Sequence, residues 1–170
     1  MLGRTYEGQN CSAARALEVA GERWSLLIIR DALFRGITRF SDFQRSLGVA
    51  PNILATRLDS FVGAGLMELR QYSERPPQHE YLLTGKGRDL GPVIIALTAW
   101  GDRWAAPQGP PIAYEHQGCG GVIRQETRCM TCGDPAPAAD ITARPGSATG
   151  AVDHRTPAQF PTTQPACPRP

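Results

Sequence analysis

Long apolar stretches are missing from this 170-residue chain. Its longest apolar runs, LLII at 26–29 and VIIAL at 93–97, fall far short of the ~18 residues needed to cross a bilayer. The opening MLGRTYEGQN has no apolar leader core. A soluble cytoplasmic protein is the expectation, with no membrane partner. A strong charge of one sign is missing too: 18 Lys+Arg stand against 16 Asp+Glu, a net charge of +2. Bulk electrostatics therefore neither demands nor excludes an anionic partner, and any nucleic-acid argument must rest on where charges are placed. No internal repeat is visible. The length, at roughly 100–200 residues per domain, allows one full domain and a small appendage. Cysteine is scarce and odd in number, five in all, and three of the five crowd with a histidine between 116 and 132. That crowding suits metal ligation in a reducing compartment better than a disulfide framework.

What is present is a helical pattern from Cys11 to about residue 65, preceded by a polar arm at 1–10. Ser12 is placed to cap a first short helix that stops at Gly21. A second helix carries Trp24, Leu27, Ile28 and Leu33 at helical spacing and closes at Gly36. A third, about two turns long, has Ser41 as its cap and Phe40, Phe43 and Leu47 as its apolar side. Gly48-Val49-Ala50 breaks the pattern, and Pro51, at the first helical position where proline is best tolerated, starts a longer amphipathic helix. Its apolar face is Ile53, Leu54, Leu58, Phe61 and Val62; Asn52, Ala55, Thr56, Arg57 and Asp59 lie opposite.

After Gly65, LMELRQY and HEYLLT alternate like two strands around a SERPPQ turn. Thr84 then caps a further helix with a stripe of Leu90, Val93, Ile94, Leu97, Trp100 and Trp104. Composition changes past Pro107. PQGPP at 107–111 reads as a linker, 112–134 as a Cys/His segment, and 135–170, with eight prolines, as a disordered tail containing Cys167. The fold class expected is α+β, mainly α: a winged helix-turn-helix over 11–106 with a long dimerisation helix, then a zinc-ribbon-like segment.

A short helix, a glycine break, a longer amphipathic helix and a hairpin follow the order of a winged helix-turn-helix. A recognition helix must present a polar face to a major groove about 12 Å wide while its other face stays on the scaffold. Asn52, Thr56 and Arg57 occupy the first two turns of the helix starting at Pro51, where base edges would be met. Arg35, Arg39, Arg45 and Arg57 against Asp42 and Asp59 give this stretch a local positive excess that favours phosphate contact. Arg75 sits on the proline-stiffened hairpin tip, as a wing would require. The plain alternatives stay open at this stage: a solvated helix face, and a hairpin that the prolines only rigidify.

The stretch from Gly21 to Trp104 resembles the HxlR family of winged helix-turn-helix regulators. The resemblance rests on G-x-x-W at Gly21 to Trp24, R-F-x-x-F at Arg39 to Phe43, L-x-x-R-L followed by G-L between Leu54 and Leu66, and R-x-Y…P…E-Y-x-L-T from Arg70 to Thr84. Val49-Ala50 departs from the Ile-Ser usual before the recognition helix, so a side-chain cap worth ~1 kcal/mol is absent. The resemblance implies a homodimer built through the terminal helices, binding double-stranded DNA at a palindromic operator. It also implies an oxidant- or electrophile-sensing role for a cysteine at the place of Cys11. A thiol just before a helix start can have a lowered pKa, although a small buried apolar residue is the other reading.

His116-x2-Cys119-x9-Cys129-x2-Cys132 offers four ligands, the number a closed tetrahedral zinc site needs, with GGVIRQETR between them as a short hairpin. A structural zinc is expected there. Alternatives from other classes are a zinc-ribbon adaptor that binds protein, and a thiol oxidoreductase using Cys129 and Cys132; the latter calls for a βαβ surround that the pattern lacks. The expectation is a regulator, not an enzyme.

Overall fold

Glycine and proline punctuate the chain into short helices and one hairpin. The computed structural model describes Thr5, Tyr6 and residues 11–143, and the chain divides into two units, 1–123 and 124–170. In the first unit, α1 is Ser12–Ala20, α2 Ser25–Phe34, α3 Phe40–Leu47 and α4 Pro51–Gly63. Strands β1 (Met67–Glu74) and β2 (Pro77–Leu83) follow, then α5 (Gly85–Arg88) and α6 (Gly91–Trp104). Among the described residues no helix is long and apolar enough to cross a membrane.

The turn between α3 and α4 depends on Gly48, which caps α3 in the left-handed region at φ 63° while its N–H returns to the Gln44 carbonyl at 2.9 Å. A side chain there would be strained. Pro51 opens α4 as expected, and Ala50 supplies no side-chain cap. Two other caps differ from expectation: Cys11, not Ser12, precedes α1, and Arg39, not Ser41, precedes α3. At α3 the physical reason is packing. Starting the helix at Phe40 sets that half-buried ring against the core beside the buried Phe43, and the apolar area it takes from water, at about 25 cal/mol per Å², offsets the ~1 kcal/mol of a serine cap.

The core joins Ile28 and Ile29 of α2, Phe43 of α3, Leu54, Leu58 and Phe61 of α4, Leu66, Met67 and Ile94. The i, i+4, i+7 spacing of the α4 trio gives one narrow buried stripe. Ile53 and Val62, expected on the same face, flank it and remain exposed. Fully buried Asp31 is the charged exception in this core. Arg30 donates to its Oδ1 from Nε at 2.9 Å and Nη2 at 2.7 Å, and Ser46 of α3 donates to its Oδ2 at 2.5 Å. Arg35 lies 3.5 Å from the same Oδ2. Desolvating a carboxylate is tolerable only with partners of this kind, and here they tie α2 to α3.

β1 and β2 pair antiparallel from Met67↔Leu83 to Glu74↔Pro77, with a bulge at Tyr72 between the Gln71↔His79 and Ser73↔Gln78 pairs. The turn is just Arg75–Pro76, shorter than the six residues expected, because Pro77 already stands in β2. Thr84 caps as expected, its Oγ1 accepting from the Gly87 N–H at 3.3 Å. The single helix expected after it is instead two. A Cβ on Gly87 would lie 2.2 Å from the Leu66 carbonyl oxygen, so α5 is pinned against the start of the hairpin. Pro92 lacks an N–H and would clash with the Arg88 carbonyl in a continuous helix, so α6 begins afresh at Gly91 with Pro92 in its first turn.

Residues 107–111 carry no helix or strand, but the division into units falls at 123/124, inside the Cys/His segment. The GGVIRQETR stretch is not a hairpin: the bridges of this region are Glu115↔Val122 in the first unit and Arg128↔Pro135 in the second. The start of the expected tail is structured, Pro135 by that bridge and Ala138–Asp140 by a 3-10 turn. Residues 144–170, Cys167 among them, and most of the 1–10 arm lie outside the described residues.

Candidate nucleic-acid interface

Burial of Leu54, Leu58 and Phe61 settles which side of α4 is left for solvent. Asn52 and Thr56, one turn apart, are both on the exposed side. The Thr56 hydroxyl donates to the Asn52 carbonyl at 2.9 Å, and Ser60 repeats the pattern on Thr56 at 2.7 Å. With its proton used in the helix, the Thr56 oxygen is left as an acceptor and its methyl as an apolar contact. Asn52 supplies both a donor and an acceptor, the pair that reads adenine in a major groove.

Arg57 is placed differently. Its side chain is only 15% exposed, and Nη2 lies 3.4 Å from Glu22 Oε2 in the α1–α2 connection. One residue along a helix turns the side chain by about 100°, so Arg57 leaves the Asn52–Thr56 side and braces α4 against the scaffold.

The hairpin carries Arg75 exposed at its tip. Arg39, at the start of α3, stacks its guanidinium 4.5 Å from the centre of the Tyr72 ring. Tyr72 stands at the bulge in β1, and the pair links the helix-turn-helix to the wing. Arg70 is not free for phosphate: it holds Glu80 Oε1 from Nε at 2.9 Å and Nη2 at 2.7 Å. Those bonds, followed by one from Thr38, hold the Glu80 carboxyl below its ordinary range. Arg45 on α3 is 77% exposed beside Asp42 at 3.1 Å. Sequence reasoning counted Arg45 only as background charge and overlooked Tyr72; an aromatic on a strand just before a proline-rich tip was the available signal for the latter.

On α6, Ile94 is buried while Val93, Leu97, Trp100 and Trp104 are exposed, the two indoles at 61% and 65%. Cys11 is exposed at the head of α1, where the amides of Ala14 and then Ala13 hold its thiol below the ordinary value. The expected metal ligands occur as two pairs. His116 Nδ1 and Cys119 Sγ are 3.4 Å apart in the first unit. In the second, the amides of Cys132 and then Thr131, with the Cys132 side chain, lower the Cys129 thiol. Among the described residues no three His, Cys, Asp or Glu side chains form one metal-holding group.

A family profile described as HxlR-like helix-turn-helix matches residues 19–109. The HTH-type transcriptional regulator Rv3095 of Mycobacterium tuberculosis is 42% identical over 146 residues, covering 85% of this chain and 90% of that protein. Among solved structures, the transcription factor PA1607 superposes with a TM-score of 0.73 at 38% identity, over 82% of this chain and 97% of its own. The redox regulator HypR in its reduced form gives a TM-score of 0.51 at 26% identity, over 55% of this chain and 92% of its own.

Proposed function

The chain belongs to the HxlR-like helix-turn-helix family of DNA-binding transcriptional regulators, and from that premise we propose that it reads a palindromic operator as a homodimer. α4 enters the major groove with Asn52 and Thr56 toward base edges. Arg75 follows the backbone or minor groove from the wing, and Arg39, steadied on Tyr72, takes a phosphate. Arg57 acts by holding α4 at its angle. The observation that carries this reading is the exposed Asn52–Thr56 pair at the start of a helix whose opposite side is buried core. Regulation in the cytoplasm, not catalysis, is the activity.

The dimer reading rests on α6: two exposed tryptophans beside Val93 and Leu97 make an apolar face that a second copy would cover. The redox reading rests on Cys11, an exposed thiol of lowered pKa at a helix start, and on the likeness to HypR. Modification there by an oxidant or electrophile would shift α1 and, through the dimer, the spacing of two recognition helices that must fit one DNA turn apart.

Gel shift against the chain's own promoter region, run as a salt series, tests the reading. Affinity should fall steeply with salt as phosphates are neutralised. Asn52→Ala and Thr56→Ala should each relax base preference by ~1–3 kcal/mol. Unchanged operator selectivity in both variants would remove α4 from the interface.

A further inference from the structure

The connection between α1 and α2 carries the G-x-x-W motif, which the reading of α4 leaves without a role. Gly21, Glu22 and Arg23 line a cavity of about 330 Å³ together with residues of α1 and α4. Trp24 ends the motif in the left-handed region, at φ 81°, and its half-buried ring packs against the core. A residue with a side chain is held in that conformation only where its surroundings over-determine it, and such positions gather at ligand clamps and switches. Arg23 lies over the same ring, its guanidinium 5.5 Å from the centre.

Four charged residues line the cavity: Glu18, Glu22, Arg23 and Arg57. Glu18 is already satisfied, its Oε1 accepting from the Tyr6 N–H at 2.7 Å and from Arg15 Nη1 at 2.5 Å. Two guanidiniums are then left against the one carboxylate of Glu22, an excess of one positive charge. Arg57 is also poorly served. Its side chain is only 15% exposed, and its ion pair with Glu22, at 3.4 Å, is longer than a well-formed hydrogen bond. Most of its five N–H donors are therefore unused. A guanidinium withdrawn from water and so little satisfied costs free energy that a better acceptor would recover. Tyr6, Leu17, Val19 and Ala64 give the same cavity its apolar surface.

We propose that this cavity is an effector site for a small organic carboxylate, whose two oxygens take the Arg57 fork in place of Glu22 while its apolar body lies on Tyr6, Leu17, Val19 and Ala64. A planar carboxylate matches the guanidinium fork bidentately, and one excess positive charge suits a monoanion. The volume stands at the small end of ligand pockets, which favours a compact acid over a nucleotide or a peptide. The consequence for regulation rests on the reading of α4 as the groove helix. A ligand on Arg57 releases the brace to Glu22, α4 loses its fixed angle, and operator affinity falls. By linkage, operator DNA weakens the acid by the same factor.

Benzoate is the probe, and benzamide, of nearly the same shape without the charge, is its control. Calorimetry on the full-length chain without DNA should show benzoate binding and benzamide not. Glu22→Gln removes the competing carboxylate and should tighten benzoate severalfold, a gain that damage to the fold would not produce. Arg57→Gln should weaken it about tenfold or more. In gel shift at constant ionic strength, held because salt alone weakens DNA binding, saturating benzoate should lower operator affinity severalfold, and Arg57→Gln should no longer respond. Absence of benzoate binding, equal binding of benzamide, or unchanged benzoate affinity in both variants would each overturn the site. Benzoate binding that leaves operator affinity unchanged would overturn its coupling to α4. A chain that binds no operator at all would instead fail the reading of α4, and calorimetry would still decide the cavity.

Discussion

Arg57 and Glu22 face each other at 3.4 Å, joining α4 to the connection between the first two helices. Arginine on a polar helix face near DNA is ordinarily read as a phosphate or base contact; here the guanidinium is turned inward and held. Its removal should therefore act on the placement of α4. Arg57→Ala is expected to weaken binding to all sequences alike and to leave base preference unchanged. The cost to stability should stay within ~1 kcal/mol, because Glu22 is substantially exposed and solvent screens the pair. Operator selection with a randomised half-site, alongside urea unfolding, checks both parts. A changed base preference would put Arg57 in the groove.

Asp31 should be the most sensitive polar residue of the winged unit. Asp31→Ala leaves Arg30, Arg35 and Ser46 without the carboxylate that gathers them. Breaking a buried pair costs about 3–5 kcal/mol, and the lower end is expected since both arginines reach solvent. Urea unfolding of the variant measures it, and a loss under about 1 kcal/mol would mean the cluster is no more than a surface pair.

Cys11 should react with iodoacetamide over a pH range lower than an ordinary thiol does. The sign follows from the helix amides: they favour the thiolate, the folded-state pKa is lowered, and more of the nucleophile is present at a given pH below the ordinary thiol value. The rate should rise through a midpoint under that of the same residue in urea. Loss of the oxidant response of operator binding in Cys11→Ser would complete the sensor reading. A response that persists in that variant would remove it.

The α6 face predicts assembly. Trp100→Glu should convert a sedimenting dimer to monomer and abolish tight operator binding with it, since two half-sites are then no longer held by one particle. A wild-type monomer at micromolar concentration would defeat the dimer outright.

The amino-acid order by itself determined the helix-turn-helix and its wing, because the signals are local. Gly48 and Pro51 are one turn apart, the Leu54–Leu58–Phe61 stripe lies within one helix, and alternation on both sides of Pro76 needs only its own hairpin. Sequence also picked out His116, Cys119, Cys129 and Cys132 as candidate ligands by spacing alone. The Cys/His-x-x-Cys-Gly echo at 116 and 129 was present there too, but two short segments sharing little more than a Cys-Gly pair do not register as a repeat until the matching hydrogen bonds of the two turns are seen. What only the tertiary structure decided are pairings between residues far apart along the chain: Glu22 with Arg57, Asp31 with Ser46, Arg39 with Tyr72. Periodicity reports which face of a helix is polar, but not whether a charge on that face meets solvent or a partner. The same holds for the break between α5 and α6. The proline was legible, but the contact that forbids a side chain at Gly87 is with the Leu66 carbonyl, which comes within reach only when the hairpin folds back.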